Sequence, residues 1–236
     1  MKIRIKFTKQ GTMKFIGHLD LMRFFQKVMR KADVDICYSE GFSPHQIMSF
    51  AAPLGVGLTS LGEYVDIEVN STGSTTEMLA RINAVMVEGI TATAYKKLPD
   101  HAGSAMSMVA AADYTTSFRT EYEPEDWKTF SASFKEFLEN DEIWVKKKTK
   151  KGEKDVNIRP MIYSLNIGTN KILMQLATGS SANLKPEMVV RAYLDAAGQE
   201  LAEFAMLIQR EDLYADLGMD GQRRLVPLSR LGEDIE

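Results

Sequence analysis

Alternating apolar and basic side chains at the start of the chain constrain the fold of its N-terminal half most strongly. Over residues 2–8, Ile3, Ile5 and Phe7 alternate with three basic residues, and this period of two predicts a half-buried strand with a basic exposed face. Apolar residues at three- and four-residue spacing then predict a helix over 18–32. The segments that follow predict, in chain order, strands at about 46–51 and 64–69, a helix capped by Thr75 or Thr76, and a strand at about 90–98.

The resulting order of elements, βαββαβ, is that of a ferredoxin-like unit. A linker of small residues follows at 100–112, and residues 113–214 show a similar order with one additional hairpin. Residues 215–236 are predicted to form a polar C-terminal tail. We therefore predict an α+β chain with tandem ferredoxin-like units at 1–99 and 113–214, each with an antiparallel sheet, the second carrying the extra hairpin.

Composition limits the chemistry that the chain can perform alone. With 236 residues and 44% hydrophobic content, it can bury one large core or two small ones. Cys37 is the only cysteine, which excludes an internal disulfide, a Cys-ligated iron–sulfur cluster and a Cys-rich zinc site. A lone thiol and the lack of any long apolar run predict a cytoplasmic protein with no cofactor of its own.

Basic residues are concentrated at the N-terminus, although the whole chain has a net charge of −3. Residues 1–31 contain nine Lys or Arg side chains and one acidic residue, Asp20, so the local net charge is +8. Such a concentration indicates a phosphate-rich or acidic partner, and a solvated strand and helix face is the alternative. The residues of this segment that we expect to hold phosphates are Lys2, Arg4, Lys6, Arg23 and Lys27.

Polar, ionisable and turn-forming residues are dense between Phe15 and Tyr64, which predicts a site in this segment. His18 follows Gly17 at the junction of the first strand and helix, and His45 lies in a loop. A pair of histidines suits general acid–base catalysis, or metal binding with Asp20 or Glu63, and structural roles in a cap and a surface loop are the alternative. The residues expected to line this pocket are His18, Asp20, Phe42, Ser43, His45 and Glu63.

Three further patterns suit the binding of anions. The glycine-rich stretch 53–62 leaves backbone N–H groups for a phosphate, although it has neither P-loop nor dinucleotide-fingerprint spacing and also suits a wide hairpin. Six lysines between Lys146 and Lys154, Lys148 among them, form a predicted hairpin tip that suits a nucleic-acid backbone or simply aids solubility. Arg159, in an otherwise apolar strand segment, is expected to bind a planar anion or a carboxylate.

Several motifs resemble those of the radical-SAM-linked protein family, a bacterial domain of unknown function. They are G-H-L-D-L-M-R from Gly17, the loop G-F-S-P-H, the stretch S-F-A-A-P-L-G-V-G with the later G-E-Y, and I-R-P from Ile158. Ser43 and Gln46 depart from the family's usual G-F-N-P-x-P loop. The resemblance implies a domain that stands alone or is fused behind a B12-binding radical SAM domain. Its partner would then carry an iron–sulfur cluster, S-adenosylmethionine and cobalamin.

A second likeness is architectural. Tandem ferredoxin-like units with a histidine near the first helix resemble repeat-associated RNA endonucleases, although the stretch 177–181 has one glycine where those enzymes have a glycine-rich loop. Our leading hypothesis is an RNA-binding accessory protein that works with a radical SAM enzyme on tRNA or rRNA. The alternatives are a metal-independent ribonuclease that uses His18 and His45, and a module that docks on the radical SAM partner without contacting RNA.

Overall fold

The computed structural model describes residues 1–149 and 152–236, with the side chains of Lys148 and Thr149 outside that description. The chain divides into two compact units. Unit 1 comprises Met1–Ala111 and Arg210–Glu236, and unit 2 comprises Ala112–Gln209. None of the helices in the described ranges is long and apolar enough to cross a membrane.

Unit 1 is built on an antiparallel sheet covered by two helices. Its strands pair in the order β4-β1-β3, with β2 on the other side of β3, and this interleaved order is that of the βαββαβ arrangement predicted for the first half. The part of β10 that follows Arg210 also pairs with β3, and β11 pairs with β10. The elements are β1 (Lys2–Lys9), α1 (His18–Lys31), β2 (Met48–Phe50), β3 (Thr59–Glu68), α2 (Thr75–Asn83), β4 (Ile90–Lys97), α3 (Ala105–Met108), β10 (Met206–Asp216) and β11 (Leu225–Pro227).

Helix α1 packs its apolar stripe on the apolar face of β1. The side chains of Leu21, Phe25 and Val28 are buried, as their three- and four-residue spacing predicts. The ring of Phe25 lies 4.5 Å from that of Phe7, which joins the helix to the strand beneath it. Asp20 in the first turn and basic residues in the last turn complement the helix dipole. These contacts belong to one core cluster that also includes α2 and β4.

Unit 2 contains strands β5, β8 and β9 in the order β5-β9-β8, together with a separate two-stranded hairpin, β6–β7. Helices α4 and α5 meet through aromatic packing, with the rings of Phe134 and Tyr193 stacked at 4.2 Å and 8°. The elements are β5 (Val109–Phe118), α4 (Trp127–Leu138), β6 (Trp144–Thr149), β7 (Gly152–Asn157), β8 (Ile162–Gly168), β9 (Lys171–Ala177) and α5 (Pro186–Ala196). The protein is therefore an α+β fold with mainly antiparallel pairing, and a tandem ferredoxin-like repeat stays a prediction.

The C-terminal residues are more ordered than a polar tail. Leu228 is fully buried and lies in a 3-10 helix, Leu228–Leu231, directly after β11. Glu233 pairs with Lys97 at the end of β4, and the N–H of Ile235 donates to Thr75 Oγ1 at 2.9 Å. The apolar residues scattered among the polar ones thus fasten this segment to unit 1. The division of the chain therefore differs from the boundaries expected from the sequence, because residues 210–236 belong with the N-terminal unit.

At Gly62 the backbone of β3 closely approaches the backbone of β10, and this contact allows the packing of the two strands to be tested. A Cβ atom at Gly62 would lie 2.6 Å from both Asp212 Cα and Glu211 O on β10, so Gly62→Ala forces the strands apart. We expect a loss of about 1–3 kcal/mol in the free energy of unfolding, measured by urea denaturation. Gly55→Ala is the matched control, since its Cβ would meet only Leu58 Cδ1 at 3.6 Å. Equal stability of the two variants would contradict the close packing of β10 on β3.

Candidate functional site

The basic face of β1 is covered and neutralised. Arg4 has no exposed surface, and its Nε and Nη2 donate to the two carboxylate oxygens of Asp66 at 2.8 and 2.9 Å. Its Nη1 donates to the Leu228 carbonyl at 3.3 Å. The expectation that Arg4 lies on an exposed face is therefore wrong. The alternating pattern identified the two faces of the strand correctly, but acidic partners on β3 and the C-terminal segment cover the second face.

Lys6 and Lys2 lie beside acidic residues on the same face. Lys6 Nζ donates to Asp212 Oδ2 at 2.8 Å, and Tyr64 Oη donates to Asp212 Oδ1 at 2.5 Å. Burial, reinforced by the negative charge of Asp212, raises the pKa of the Tyr64 hydroxyl well above its ordinary value. Lys2 is half-buried opposite Glu68 in the β1–β3 register. The cations of β1 therefore hold the sheet together.

A second buried cluster joins β1, β3 and β10. Glu63 is buried, and Arg210 Nε donates to its Oε1 at 2.8 Å while Arg210 Nη2 donates to the Ala52 carbonyl at 2.7 Å. Lys9 is only 1% exposed, and its Nζ donates to the Ile16 carbonyl at 3.0 Å, just before His18. Glu63, expected to line a pocket or bind a metal, thus serves as the counter-ion of Arg210.

Burial lowers the pKa of Lys9, the nearby Glu63 carboxylate opposes that shift, and the Arg210 charge adds to it. In the sequence, Lys9 counts only as one of the nine basic residues of the segment 1–31, and Arg210 is not singled out. The pairing of a buried Glu with a buried Arg depends on a contact between residues 147 positions apart. Arg210 lies in a strand predicted at about 203–211, and a charged residue inside that strand is a local signal for a paired partner.

The two histidines occupy different environments. His18 is the first residue of α1, and its ring meets the ring of Phe50 edge-on at 5.5 Å. His45 is exposed, and its ring Nδ1 lies 2.8 Å from Ser39 Oγ. The backbone N–H of His45 donates to the same oxygen at 3.1 Å. This pair of bonds closes the loop between Ser39 and His45. Within the described ranges, no hydrogen bond or ring contact joins the two histidines.

The loop carries its most exposed side chain at the tip. Phe42 is fully exposed, and Ser43 next to it is exposed as well. Gly41 precedes them with a φ of 111°, a conformation that favours glycine. At the base of the loop, Gln46 Nε2 donates to the Gln26 carbonyl at 3.3 Å, which ties the loop to α1.

An exposed strip of basic and apolar side chains runs along α1 and the residues before it. Leu19, Arg23 and Lys27 are exposed and lie four residues apart, so they share one helix face. Lys14 Nζ lies 5.1 Å from the ring centroid of Phe15, which is 64% exposed. Asp20 lies beside this strip, and its Oδ1 is 3.6 Å from Arg23 Nη1. We call the strip the α1 surface: the half-buried Lys14 and the exposed Phe15, Leu19, Arg23 and Lys27.

In unit 2, Lys146 is exposed on β6, whereas the side chain of Lys148 and all of Lys150 and Lys151 lie outside the described residues. Arg159 lies in a 3-10 helix, Arg159–Met161, and not in a strand. This helix interrupts the predicted strand at Pro160, which has no N–H to donate to a sheet. Arg159 Nε donates to the Leu138 carbonyl at 3.0 Å, so backbone carbonyls take the place of the expected anion.

The structure adds no support for a metal site at the histidines or for a phosphate site at the glycine-rich stretch 53–62. Across residues 1–149 and 152–236, no group of three or more His, Cys, Asp or Glu side chains could hold a metal ion. Within the glycine-rich stretch, the N–H of Gly57 donates to the Lys14 carbonyl at 2.8 Å. That bond fastens the stretch to the residues before α1.

The fold and the site define an α+β protein in which Arg4 and Lys6 of the first strand form ion pairs while Arg23 and Lys27 of the first helix face solvent. The chain belongs to the family described as "Uncharacterized protein conserved in bacteria (DUF2344)", whose model matches residues 2–186. Membership of this family confirms the bacterial, function-unassigned part of the resemblance. The link to radical SAM enzymes stays a prediction.

No curated protein matches the chain. Among solved structures, it is similar to a chain in the crystal structure of a Cbf5-Nop10-Gar1 complex, with 10% identity and a TM-score of 0.47. The match covers 89% of this chain and 48% of that one, so this chain spans about half of its length. A likeness at this level says nothing about activity.

The pairing of Glu63 with Arg210 is testable by removing one charge. Glu63→Gln removes the carboxylate that pairs with the buried Arg210 and lies near the buried Lys9, and we expect it to lower the free energy of unfolding by about 3–5 kcal/mol. The double variant Glu63→Leu/Arg210→Met should be destabilised less, since it removes both charges of the pair. Urea denaturation measures both, with the exposed Glu88→Gln as control. A cost for Glu63→Gln no greater than that of the control would contradict a structural role for the pair.

The lowered pKa of Lys9 makes its contribution to stability depend on pH. The unfolded chain holds the Lys9 proton up to a pKa near 10.5, whereas the folded protein releases it at lower pH. Below both pKa values, burial of the charge costs stability, and this cost falls as pH rises towards 10.5, because the unfolded chain binds more protons over that range. Wild type should therefore gain stability relative to Lys9→Met as pH rises towards 10.5.

Urea denaturation at successive pH values measures this gain, with Lys27→Met at an exposed position of α1 as the reference substitution. A difference between wild type and Lys9→Met that falls or stays constant as pH rises, relative to that reference, would contradict the burial of a charged Lys9.

Proposed function

We propose that this protein binds RNA through the α1 surface and acts as an accessory to a radical SAM enzyme in tRNA or rRNA modification or processing. One observation carries the proposal. On β1, Arg4 and Lys6 are engaged in ion pairs with Asp66 and Asp212, whereas Arg23 and Lys27 on α1 remain exposed beside exposed apolar and aromatic side chains.

The α1 surface combines the two groups that single-stranded nucleic acids need. Exposed Lys and Arg side chains neutralise phosphates, and an exposed ring such as Phe15 offers a face on which a base can stack. The ion pair of Arg23 with Asp20 is exposed at both ends, so it contributes at most about 1 kcal/mol and yields easily to a phosphate. Phe42, on a loop tied to α1 at Gln26, supplies a second exposed ring.

The accessory role rests on the family resemblance and on the cysteine content. One cysteine cannot ligate an iron–sulfur cluster, so the radical chemistry would belong to the partner, which would carry the cluster, S-adenosylmethionine and cobalamin. The protein would then hold the RNA while the partner modifies it.

The ribonuclease alternative gains little from the described contacts, because His45 is engaged with Ser39 and His18 packs against Phe50. The docking alternative has one specific observation in its favour. Phe15, Leu19 and Phe42 are apolar and exposed, and such side chains also suit a protein surface. Salt dependence separates the two, since contacts with phosphates weaken steeply as salt rises.

Removal of the α1 charges should weaken RNA binding. We expect Arg23→Gln/Lys27→Gln to lower affinity for tRNA or rRNA fragments and to reduce the slope of log affinity against log salt by about 2, one for each phosphate that is no longer neutralised. The measurement is fluorescence anisotropy with labelled RNA at several salt concentrations.

Lys128→Gln/Lys171→Gln, two exposed lysines of unit 2, is the control with the same change in net charge. Equal salt slopes for the two double variants would place the RNA-binding surface outside α1. No salt-dependent affinity in the wild type would refute RNA binding. Loss of binding to the radical SAM partner in the α1 variant, without any RNA affinity, would establish the docking alternative instead.

A further inference from the structure

We propose that a groove between β6 and α5 in unit 2 binds a single nucleotide whose base presents an amino group, with cytidine monophosphate as the preferred form. The inference rests on the proposed RNA-binding function and assigns unit 2 a base-reading role that is separate from the α1 surface. The groove has a volume of about 740 Å³ and lies entirely within unit 2. That volume is ample for a nucleotide.

An unsatisfied acceptor lies in the groove wall. Glu187 lines the groove, and its Oε2 is buried without a hydrogen-bond partner in the described part of the chain. An unpaired buried carboxylate oxygen costs free energy, so such an atom usually has a donor in the functional state. A carboxylate only accepts hydrogen bonds, and the exocyclic amino group of cytosine is a donor that carboxylates recognise.

An aromatic face lies in the same groove. Trp144 is 59% exposed although it is a large aromatic residue, and its Nε1 donates to Glu142 Oε2 at 2.9 Å. This bond engages the N–H edge of the indole and favours one orientation of the ring. An exposed indole provides a platform on which a base can stack.

Three cations lie around the groove. Lys146, Lys185 and Arg191 line it together with Glu142, Glu187 and Asp195, and no salt bridge found in the described ranges involves any of the three cations. Their charges suit the phosphate of a nucleotide, while Met188 and other apolar side chains of the floor contact the base and sugar. The groove thus offers an acceptor for an amino group, a stacking surface and cations for a phosphate.

Base choice follows from the carboxylate. Cytosine presents an amino group where uracil presents a carbonyl oxygen, and a carboxylate attracts the first and repels the second. A correct pairing of this kind separates two bases by about 1–3 kcal/mol, which corresponds to about 5- to 150-fold in affinity. Cytidine and uridine monophosphates have the same charge and nearly the same size, and they differ only at positions 3 and 4 of the base. Their comparison, repeated in the Glu187→Gln variant, therefore tests the contact with Glu187.

Intrinsic fluorescence provides the test, since the chain has two tryptophans, Trp127 and Trp144. Trp127→Phe leaves Trp144 as the single reporter. In that background, cytidine monophosphate should quench the fluorescence saturably and bind at least about tenfold more tightly than uridine monophosphate. Adding Glu187→Gln should bring the ratio of the two affinities close to one, because an amide both donates and accepts. Glu136→Gln, an exposed position on α4, should leave the ratio unchanged.

Absence of quenching by cytidine monophosphate, or equal affinities for the two nucleotides before Glu187 is changed, would overturn the proposal. Protection of Trp144 by a purified protein partner, without any nucleotide effect, would overturn it in favour of a docking site. The nucleotide titration does not involve the α1 surface. If cytidine monophosphate quenches the fluorescence selectively but the protein has no salt-dependent affinity for RNA, the groove proposal is supported and the α1 proposal is refuted. If the protein binds RNA through α1 but the nucleotide has no effect, the α1 proposal is supported and the groove proposal is refuted.

Discussion

Burial of ion pairs on both sides of β3 is the constraint on which unit 1 depends. Arg4 with Asp66 and Glu63 with Arg210 place four charges in positions that water reaches little or not at all. Desolvation of such charges is costly, so each pair must keep its geometry and its additional hydrogen bonds. Arg4 obtains one of these from the Leu228 carbonyl, and Arg210 obtains one from the Ala52 carbonyl. The pairs therefore fix the positions of the C-terminal segment and of the loop before β3.

This arrangement divides the basic N-terminal segment into two parts with different roles. The strand cations are neutralised by acidic residues from β3 and β10, whereas α1 presents its cations to solvent. The high positive charge of residues 1–31 therefore overstates the charge that a partner meets. What remains exposed lies on a helix, next to aromatic rings, and that combination favours a nucleic acid over a simple anion.

The sequence predicted those features that depend on local periodicity. The apolar stripe of α1 and the apolar face of β1 both follow from spacing. It did not predict which charged face would be covered, because Asp66 and Asp212 meet β1 only after long stretches of chain have folded. Lys9 continues the alternation of Ile3, Ile5 and Phe7, but a lysine at that position indicates the exposed end of the strand, and its burial became visible only with the structure.

The candidate site shows the same limit. Sequence patterns located the exposed loop with Phe42 and the helix with Arg23 and Lys27, which the structure ties together through Gln46 and Gln26. They also suggested a role for Glu63 in a pocket, and this residue is instead a buried counter-ion. Short-range spacing does not distinguish a carboxylate that is available to a ligand from one that is already paired with an arginine distant in sequence.

Ultraviolet cross-linking of the protein to bound RNA, followed by mass spectrometry of the peptides, tests the division of charge most directly. The proposed division predicts cross-linked peptides from the α1 surface, with Phe15 among the modified residues, and none from β1. Cross-links that fall on β1 and spare α1 would show that the ion pairs of the strand open to RNA, which would contradict it.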